Sequence, residues 1–177
     1  DVAVAPGAAD TGTATDTASA ATAGEEPQQD DAPRIEIDTP ELLGSISLRG
    51  GRIDQLALKD YRETLEPDSD IVTLLSPVGS EHPYYALFGW APGSGLSPDQ
   101  VPGANTLWEV ETEGTLTPDS PIVLTWDNGA GLTFRREMSV DDKFMFTVTQ
   151  SVENTGDDTR SLAPYGILAR HGTPPDL

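Results

Sequence analysis

From Arg34 onward, the chain consists of short stretches in which apolar and polar residues alternate, each stopped by glycine, proline or asparagine. Alternation with a period of two is typical of β-strands that bury one face. The pairs Gly50-Gly51 and Asn128-Gly129 carry the residue types of tight hairpin turns. No window gives a convincing amphipathic helix. The sequence therefore predicts an all-β fold of antiparallel strands.

About eight short strands are predicted among ten segments that fit this pattern. They are RIEID, the two arms of SISLRGGRIDQLAL, IVTLL, YYALFGWAP, LWEVE, the two arms of PIVLTWDNGAGLTFRREMSV, KFMFTVTQSVEN and RSLAPYGILARHG. The segment LKDYRETLEPDSD reads as a polar connection with a turn at Pro67. Short strands separated by turns predict a two-layer antiparallel β-sandwich.

The same alternation predicts local details of the later strands. Phe144, Phe146 and Val148 are expected to share one face, because alternate side chains of a strand point the same way. Pro164 interrupts the last predicted strand. A proline in that place fits an edge position or a bulge, since it cannot donate a ladder hydrogen bond.

Residues 1–33 differ sharply in composition. They carry seven acidic residues and no Lys or Arg, and their sole branched aliphatic residues are Val2 and Val4. Such a stretch cannot bury enough apolar surface to offset about 1–2 kcal/mol of backbone entropy per residue. A helix driven by its alanines is disfavoured, because Thr, Gly and Asp punctuate it. We predict a disordered acidic linker at 1–33 and one structured domain at 34–177.

The overall charge excludes several classes of protein. The 177 residues include 30 acidic and 10 basic side chains, a net charge of −20. Nucleic acids and anionic lipid headgroups would be repelled by this field. The absence of cysteine excludes disulfide scaffolds, thiolate metal sites and cysteine nucleophiles. No window approaches the roughly 18 apolar residues of a membrane span, but the chain begins at Asp1 rather than Met and reads as a fragment.

Few residues suggest chemistry. His82 and His171 could join a carboxylate in a metal site or an acid–base pair, but neither lies in a ligand-spacing pattern, which favours ordinary turn residues. The G-x-G of DNGAGLTF precedes a hairpin arm rather than a helix, which argues against a phosphate loop. A calcium loop starting at Asp68 would place Thr73 where glycine is needed, so it too reads as a turn.

Other conspicuous side chains have structural explanations. Five aromatic residues could form a sugar-binding platform, although packing in a β-sandwich explains them better; they are Tyr84, Tyr85, Trp90, Trp108 and Trp126. Arg135 and Arg136 are consecutive, so they point to opposite faces and form no single anion clamp. One is expected to face solvent and the other to pair with a carboxylate. Asp141-Asp142 reads as a turn. We predict no catalytic, cofactor or metal residue, and leave the partner-binding surface open.

Four segments together resemble one family: TPELLGSISLRGGRIDQLALKDYRET, HPYYALFGW, LTWDNGAGLTFRREMSVDDKFMFTVTQSVENTGD and LAPYGILARHGTP. Their order and spacing resemble the large periplasmic (P1) domain of the bacterial membrane protein insertase YidC, from about Arg34 to Pro174. The resemblance implies a β-supersandwich similar to galactose mutarotases and other sugar-binding proteins. Residues 1–33 occupy the place of the variable linker that follows the family's first membrane helix.

The resemblance also implies a function. The family's full-length proteins insert and fold inner-membrane proteins, alone or with the SecYEG translocon and SecDF, and use no enzymatic chemistry or cofactor. Their working groove contains an essential arginine on later membrane helices. Arg34, Arg135 and Arg170 lie in the periplasmic domain and cannot inherit that role. The implied location is the periplasmic side of the inner membrane, with the transmembrane helices outside this fragment.

Three functions are therefore weighed: a partner-contacting scaffold of an insertase, a carbohydrate-binding or aldose-epimerase-like sandwich, and a spacer without a binding role. An epimerase needs a carboxylate base and a histidine acid across a sugar-sized cleft, and His82 and His171 match no such motif. Because the family's domain continues further, residues 34–177 are expected to expose strand edges and to be less stable than a complete domain.

Overall fold

The computed structural model describes residues 27–28 and 31–172. Residues 1–26 of the predicted linker lie outside the described residues, so their disorder stays a prediction. The strands are β1 (Arg34–Asp38), β2 (Leu42–Ser47), β3 (Arg52–Arg62), β4 (Ile71–Leu75), β5 (Tyr84–Pro92), β6 (Glu109–Val110), β7 (Ile122–Asp127), β8 (Leu132–Val140), β9 (Phe146–Asn154) and β10 (Leu162–Arg170).

These strands form two antiparallel sheets. Sheet 1 has the order β1-β2-β3-β5-β10, with β4 paired to β3. Sheet 2 has the order β6-β7-β8-β9. The described residues contain no α-helix and one short 3-10 turn at Pro98–Gln100. The predicted all-β, antiparallel fold is confirmed.

A single apolar core fills the space between the sheets. Sheet 1 contributes Ile37 and Ile46, and sheet 2 contributes Leu124 and Phe134, all of which are fully buried. Trp90 on β5 meets Phe134 on β8, with their ring centroids 5.9 Å apart. Removal of this apolar surface from water, at about 25 cal/mol per Å², is the main force that holds the sheets together.

The β2–β3 hairpin turns where the sequence predicts it. Gly50 and Gly51 have φ angles of 73° and 58°, in the left-handed region. Side chains with a Cβ are disfavoured there by roughly 1–2 kcal/mol per residue. A Cβ on Gly50 would also clash with the backbone oxygen of Ala104. Both constraints explain why glycine stands at this turn.

Two predicted strand boundaries are wrong because neighbouring strands extend or divide them. β3 continues to Arg62, into the segment predicted as a connection, because β4 pairs with it through Ala57 and Arg62. The segment LWEVE forms a strand of sheet 2 only at Glu109–Val110. Its first residue instead forms an isolated bridge to the β2–β3 turn, between Leu107 and Arg49.

The predicted face of Phe144 is also wrong. Phe144 lies in the β8–β9 turn and is 48% exposed, whereas Phe146 begins β9 and packs against the core. Asp141 N–H donates to the Met145 carbonyl and closes the turn before Phe146. The alternation therefore starts two residues later than predicted.

On one side of the sandwich, which we call the closed side, the chain joins the sheets through backbone hydrogen bonds. Leu116 N–H donates to Glu36 O at 2.8 Å, which covers the β1 edge. Trp108 N–H donates to Leu48 O at 2.9 Å, and the next residue, Glu109, pairs with Thr125 in sheet 2. One continuous segment thus passes from sheet 1 to sheet 2.

The opposite side, which we call the open side, carries the last strand of each sheet. Within the described part of the chain, β9 pairs with β8 alone and β10 with β5 alone. Gln150 Nε2 donates to Tyr165 O at 3.4 Å, which shows that β9 faces β10 across the gap. Pro164 lies on the edge strand β10, as predicted, and its register with β5 is unbroken.

Candidate functional site

The two histidines lie at one end of sheet 1. β5 and β10 pair Tyr84 with Arg170, which brings His171 beside the loop that holds His82. His171 Nε2 lies 3.1 Å from Tyr85 Oη, and the two rings stack. Across residues 27–28 and 31–172, no group of three His, Asp or Glu side chains is arranged to hold a metal ion. His82 lies in the loop before β5, and His171 directly follows β10.

The tryptophans pack in the core rather than form a platform. Trp90 and Trp108 are 8% and 2% exposed. Trp126 is half-buried against Phe134, with ring centroids 5.7 Å apart. Tyr85 is buried on the other face of sheet 1, in a small cluster with Leu87. Since these rings cover one another or the core, they present no shared surface to a sugar.

The consecutive arginines point to opposite faces, as predicted, but their partners differ from the prediction. Arg135 faces solvent and makes two hydrogen bonds to the Glu111 carboxylate, at 2.9 and 3.2 Å. These bonds raise the pKa of Arg135 and lower the pKa of Glu111. The expectation that the buried arginine pairs with the carboxylate is wrong, because the carboxylate stays on the wet face, where its desolvation is small.

Arg136 crosses the core from sheet 2 to sheet 1 and is 0% exposed. Its Nη1 donates to the carbonyls of Gly50 and Gly51 at 3.1 and 3.2 Å. Its Nη2 donates to Phe88 O at 2.7 Å. The guanidinium carbon lies 4.4 Å from the Trp108 ring centroid, within reach of a cation–π interaction.

The buried charge of Arg136 is stabilised by dipoles rather than by an anion. Burial lowers the pKa of Arg136 to about 9, so it remains protonated at neutral pH. Carbonyl oxygens and an aromatic face replace part of the lost hydration. The sequence carried a signal for this: Arg136 falls between Phe134 and Met138 on the inward positions of β8.

Two turns noted in the sequence are built by side-chain oxygens. Asp141 accepts backbone N–H groups from Lys143 and Met145, both at 2.9 Å, and these bonds lower its pKa. Asn128 Oδ1 accepts the N–H groups of Ala130 and Leu132. The carboxylate at 141 and the G-x-G segment are therefore turn chemistry, as predicted.

A charged cluster that sequence reasoning missed lies on the face of sheet 1 away from the core. Asp54, 1% exposed, pairs with Arg34 and lies 3.7 Å from Arg52 Nε. Arg34 Nε also donates to Ser45 Oγ at 2.8 Å. Arg52 and Asp54 occupy the polar positions of an alternating strand, a pattern that normally indicates solvent. Their burial depends on chain segments far away in sequence.

The open side exposes the inner faces of β9 and β10 in part. Phe146, Val148 and Val152 on β9 and Leu162 on β10 pack against the core but are half-buried. The corresponding positions of β7 and β8 are fully buried, apart from the half-buried Trp126. The outer positions of β9, such as Thr149, are exposed. This side therefore combines two free strand edges with accessible apolar surface.

None of the helices within residues 27–28 and 31–172 has the length and apolar character needed to cross a membrane. The chain matches the YidC periplasmic domain family over residues 34–177. It is 66% identical over 145 residues to a membrane protein insertase YidC of Dinoroseobacter shibae, covering 82% of this chain and 24% of that relative. It is 56% identical over 176 residues to a membrane protein insertase YidC of a Jannaschia species, covering 99% of this chain and 26% of that relative. The chain thus spans about a quarter of the length of these curated relatives.

Proposed function

The chain belongs to the YidC periplasmic domain family, and we propose that it is the non-catalytic, partner-contacting scaffold of a membrane protein insertase. In this proposal the full-length protein resides in the bacterial inner membrane and inserts and folds integral membrane proteins. It does so alone or with the SecYEG translocon and SecDF. The present domain works on the periplasmic side, preceded by its acidic linker.

The observation that carries this proposal is the pair of free edges on the open side. β9 and β10 each run for nine residues. An unpaired strand edge presents a row of N–H and C=O groups that can pair with an extended chain. Native proteins usually blunt such edges with inward charges or bulges. β9 has neither Lys nor Arg, and its pairing with β8 is continuous from Phe146 to Asn154.

We propose that the occupant of the β9 edge is an extended segment of a nascent inner-membrane protein. The test places a photo-crosslinker at Thr149 on β9 or at Glu36 on β1, both exposed, in the full-length insertase. Crosslinks to a translocating client are expected from Thr149 and much less from Glu36. Equal yields, or none from Thr149, would contradict edge pairing.

Partner contact is separated from a spacer role by a second experiment. Full-length insertase is used to capture SecDF, and a variant carrying Thr149→Lys on the β9 edge is compared with Glu36→Lys on the closed side. A partner-contacting scaffold predicts that the first substitution weakens capture more than the second. Unchanged capture by both variants would favour another surface, and no capture by the parent protein would favour a spacer.

The carbohydrate-binding alternative has less support from the structure. Trp90 and Trp108 are committed to the core, and His171 is engaged by Tyr85. Titration calorimetry with monosaccharides is expected to show no saturable heat. A saturable isotherm would revive this alternative and count against a purely scaffolding role.

A further inference from the structure

Arg52 is a buried cation whose hydrogen bonds are incomplete. It is 1% exposed, and its Nη2 donates to the carbonyl of Gln28 at 3.0 Å. Among the described residues, its Nε and Nη1 have no hydrogen-bond partner. A buried donor without an acceptor destabilises the folded state. Arg52 thus retains N–H groups that can form hydrogen bonds to an added acceptor.

The charges around Arg52 do not balance. Arg34 and Arg52 both face the carboxylate of Asp54. Arg49 adds a third positive charge nearby, and the exposed Asp31 adds a second carboxylate, which leaves three positive charges against two negative ones. Burial is the main cause of a lowered pKa for Arg52. One negative charge would neutralise the set, whereas a dianion would reverse its sign beside Asp54.

A cavity of about 400 Å³ adjoins these groups. Its polar wall is formed by Asp31, Arg34, Arg52, Asp54 and Gln55, and its apolar wall by Ala32, Pro77 and Val78. This volume accommodates a carboxylate together with several carbon atoms.

We propose that this cavity is a binding site for a carboxylate group, held by Arg52 beside the Arg34–Asp54 pair. The Gln28 carbonyl now on Nη2 is a neutral acceptor, and hydrogen bonds from a guanidinium to a carboxylate are stronger. The bound carboxylate therefore replaces Gln28 on Arg52 and also reaches its unsatisfied N–H groups. Gln28 is held on its other side by Asn105 Oδ1, 2.8 Å from Gln28 N. The site does not depend on the partner role proposed above.

The carboxylate has two possible sources: a separate molecule, or the chain's own acidic stretch, where Glu25 and Glu26 are the nearest carboxylates before Gln28. The Nε–H resonances of the eight arginines are followed by NMR in the full chain. A titration with sodium acetate is compared with a titration with sodium chloride at equal ionic strength. Arg52 is expected to shift saturably with acetate alone. The Arg136 resonance should not shift, because the Nη groups of Arg136 already donate to carbonyls.

The remaining arms identify the source and the charge of the ligand. Glu25→Gln with Glu26→Gln should move the Arg52 resonance before any addition if these side chains occupy the site, and leave it unchanged if the carboxylate is separate. Inorganic phosphate should saturate only at higher concentration than acetate. Equal shifts of Arg52 and Arg136, equal responses to acetate and chloride, or tighter binding of phosphate would each overturn the proposal.

Discussion

The closed and open sides of the sandwich are built from the same kinds of strand, yet they end differently. On the closed side, Leu116 and Trp108 donate backbone hydrogen bonds into sheet 1, and the chain continues directly into sheet 2. On the open side, Gln150 and Tyr165 make one long hydrogen bond between β9 and β10. Leu116 and Trp108 on the closed side are fully buried, whereas Phe146, Val148, Val152 and Leu162 on the open side are half-buried.

We propose that stability and availability for binding are divided between the two sides. Backbone groups on the closed side have their hydrogen bonds, so they offer nothing to a partner. In the part of the chain that the structure describes, the outer backbone groups of β9 and β10 pair with no further strand. Local stability within a protein is uneven, and binding elements are generally drawn from its less stable parts. The predictions below separate the two sides by measurement.

Arg136→Ala is expected to have the largest effect, because Arg136 ties the β8 strand to the Gly50-Gly51 turn and to Phe88. The substitution removes donors from three carbonyls and leaves a cavity, so we expect a loss of about 3 kcal/mol or more in the free energy of unfolding. Urea unfolding measures it. Arg135→Ala, the exposed neighbour, should change stability little, and equal losses would contradict a clamp at Arg136.

A pair of glycine substitutions compares the sides directly. In Gly44→Ala on β2, the new Cβ would clash with the backbone oxygen of Gln55, so β2 and β3 must separate, at a cost of about 2–3 kcal/mol. In Gly166→Ala on β10, the nearest atom is Cδ1 of the Phe88 side chain, at 3.1 Å. Because that ring can shift, we expect the free energy of unfolding to fall by no more than about 1 kcal/mol. A larger loss at Gly166 would reverse the comparison.

Residues 34–177 are expected to be less stable than a complete domain, and the structure locates the cause of this at the open side. Further strands that pair with β10 would bury half-exposed apolar side chains there, such as Leu162, and leave the β9 edge to a client. Thermal melts of residues 34–177 and of a longer chain compare the two, with each kcal/mol of added stability raising Tm by about 2–4 °C. A higher midpoint is expected for the longer chain, and equal midpoints would refute the expectation.

The smallest predicted effect is a pH dependence in the β8–β9 turn. Hydrogen bonds from Met145 and Lys143 lower the pKa of Asp141 below its ordinary value of 3.8. Its carboxylate therefore stabilises the folded state above that pH, and this contribution is lost as the pH falls. Asp141→Asn should lower Tm more at pH 7 than at pH 3. Equal losses of Tm at pH 7 and pH 3 for Asp141→Asn would contradict it.

The alternation of residues predicted most of the strands because each one buries a single face, and the glycine pairs located the hairpins. The exceptions depend on partners distant in sequence. β3 is longer than predicted because β4 pairs with it. LWEVE is a strand only in part because Leu107 bridges Arg49 in the β2–β3 turn instead. Alternation describes one strand at a time and cannot identify which strand lies beside it.

The candidate sites were less predictable than the fold. Arg52 and Asp54 look like solvent-facing residues until distant chain segments cover them. Arg136 could be assigned to the inward face from its spacing, but its partners are carbonyl groups, which carry no residue-type signal. Free edges are a property of the sheet order. Pro164 marked β10 as an edge strand or a bulge, but β9 could not be identified as an edge from its residues alone.

Amide hydrogen exchange on the full chain tests the division between the two sides most directly. Backbone amides of β2 and β7 should exchange slowly, whereas the outward-facing amides of β9 and β10 should exchange much faster, because they lack partners in either sheet. Addition of a client segment that pairs with β9 should slow the exchange of β9 while leaving β2 unchanged. Uniform protection across β2, β7, β9 and β10 in the isolated chain would contradict the division into a closed and an open side.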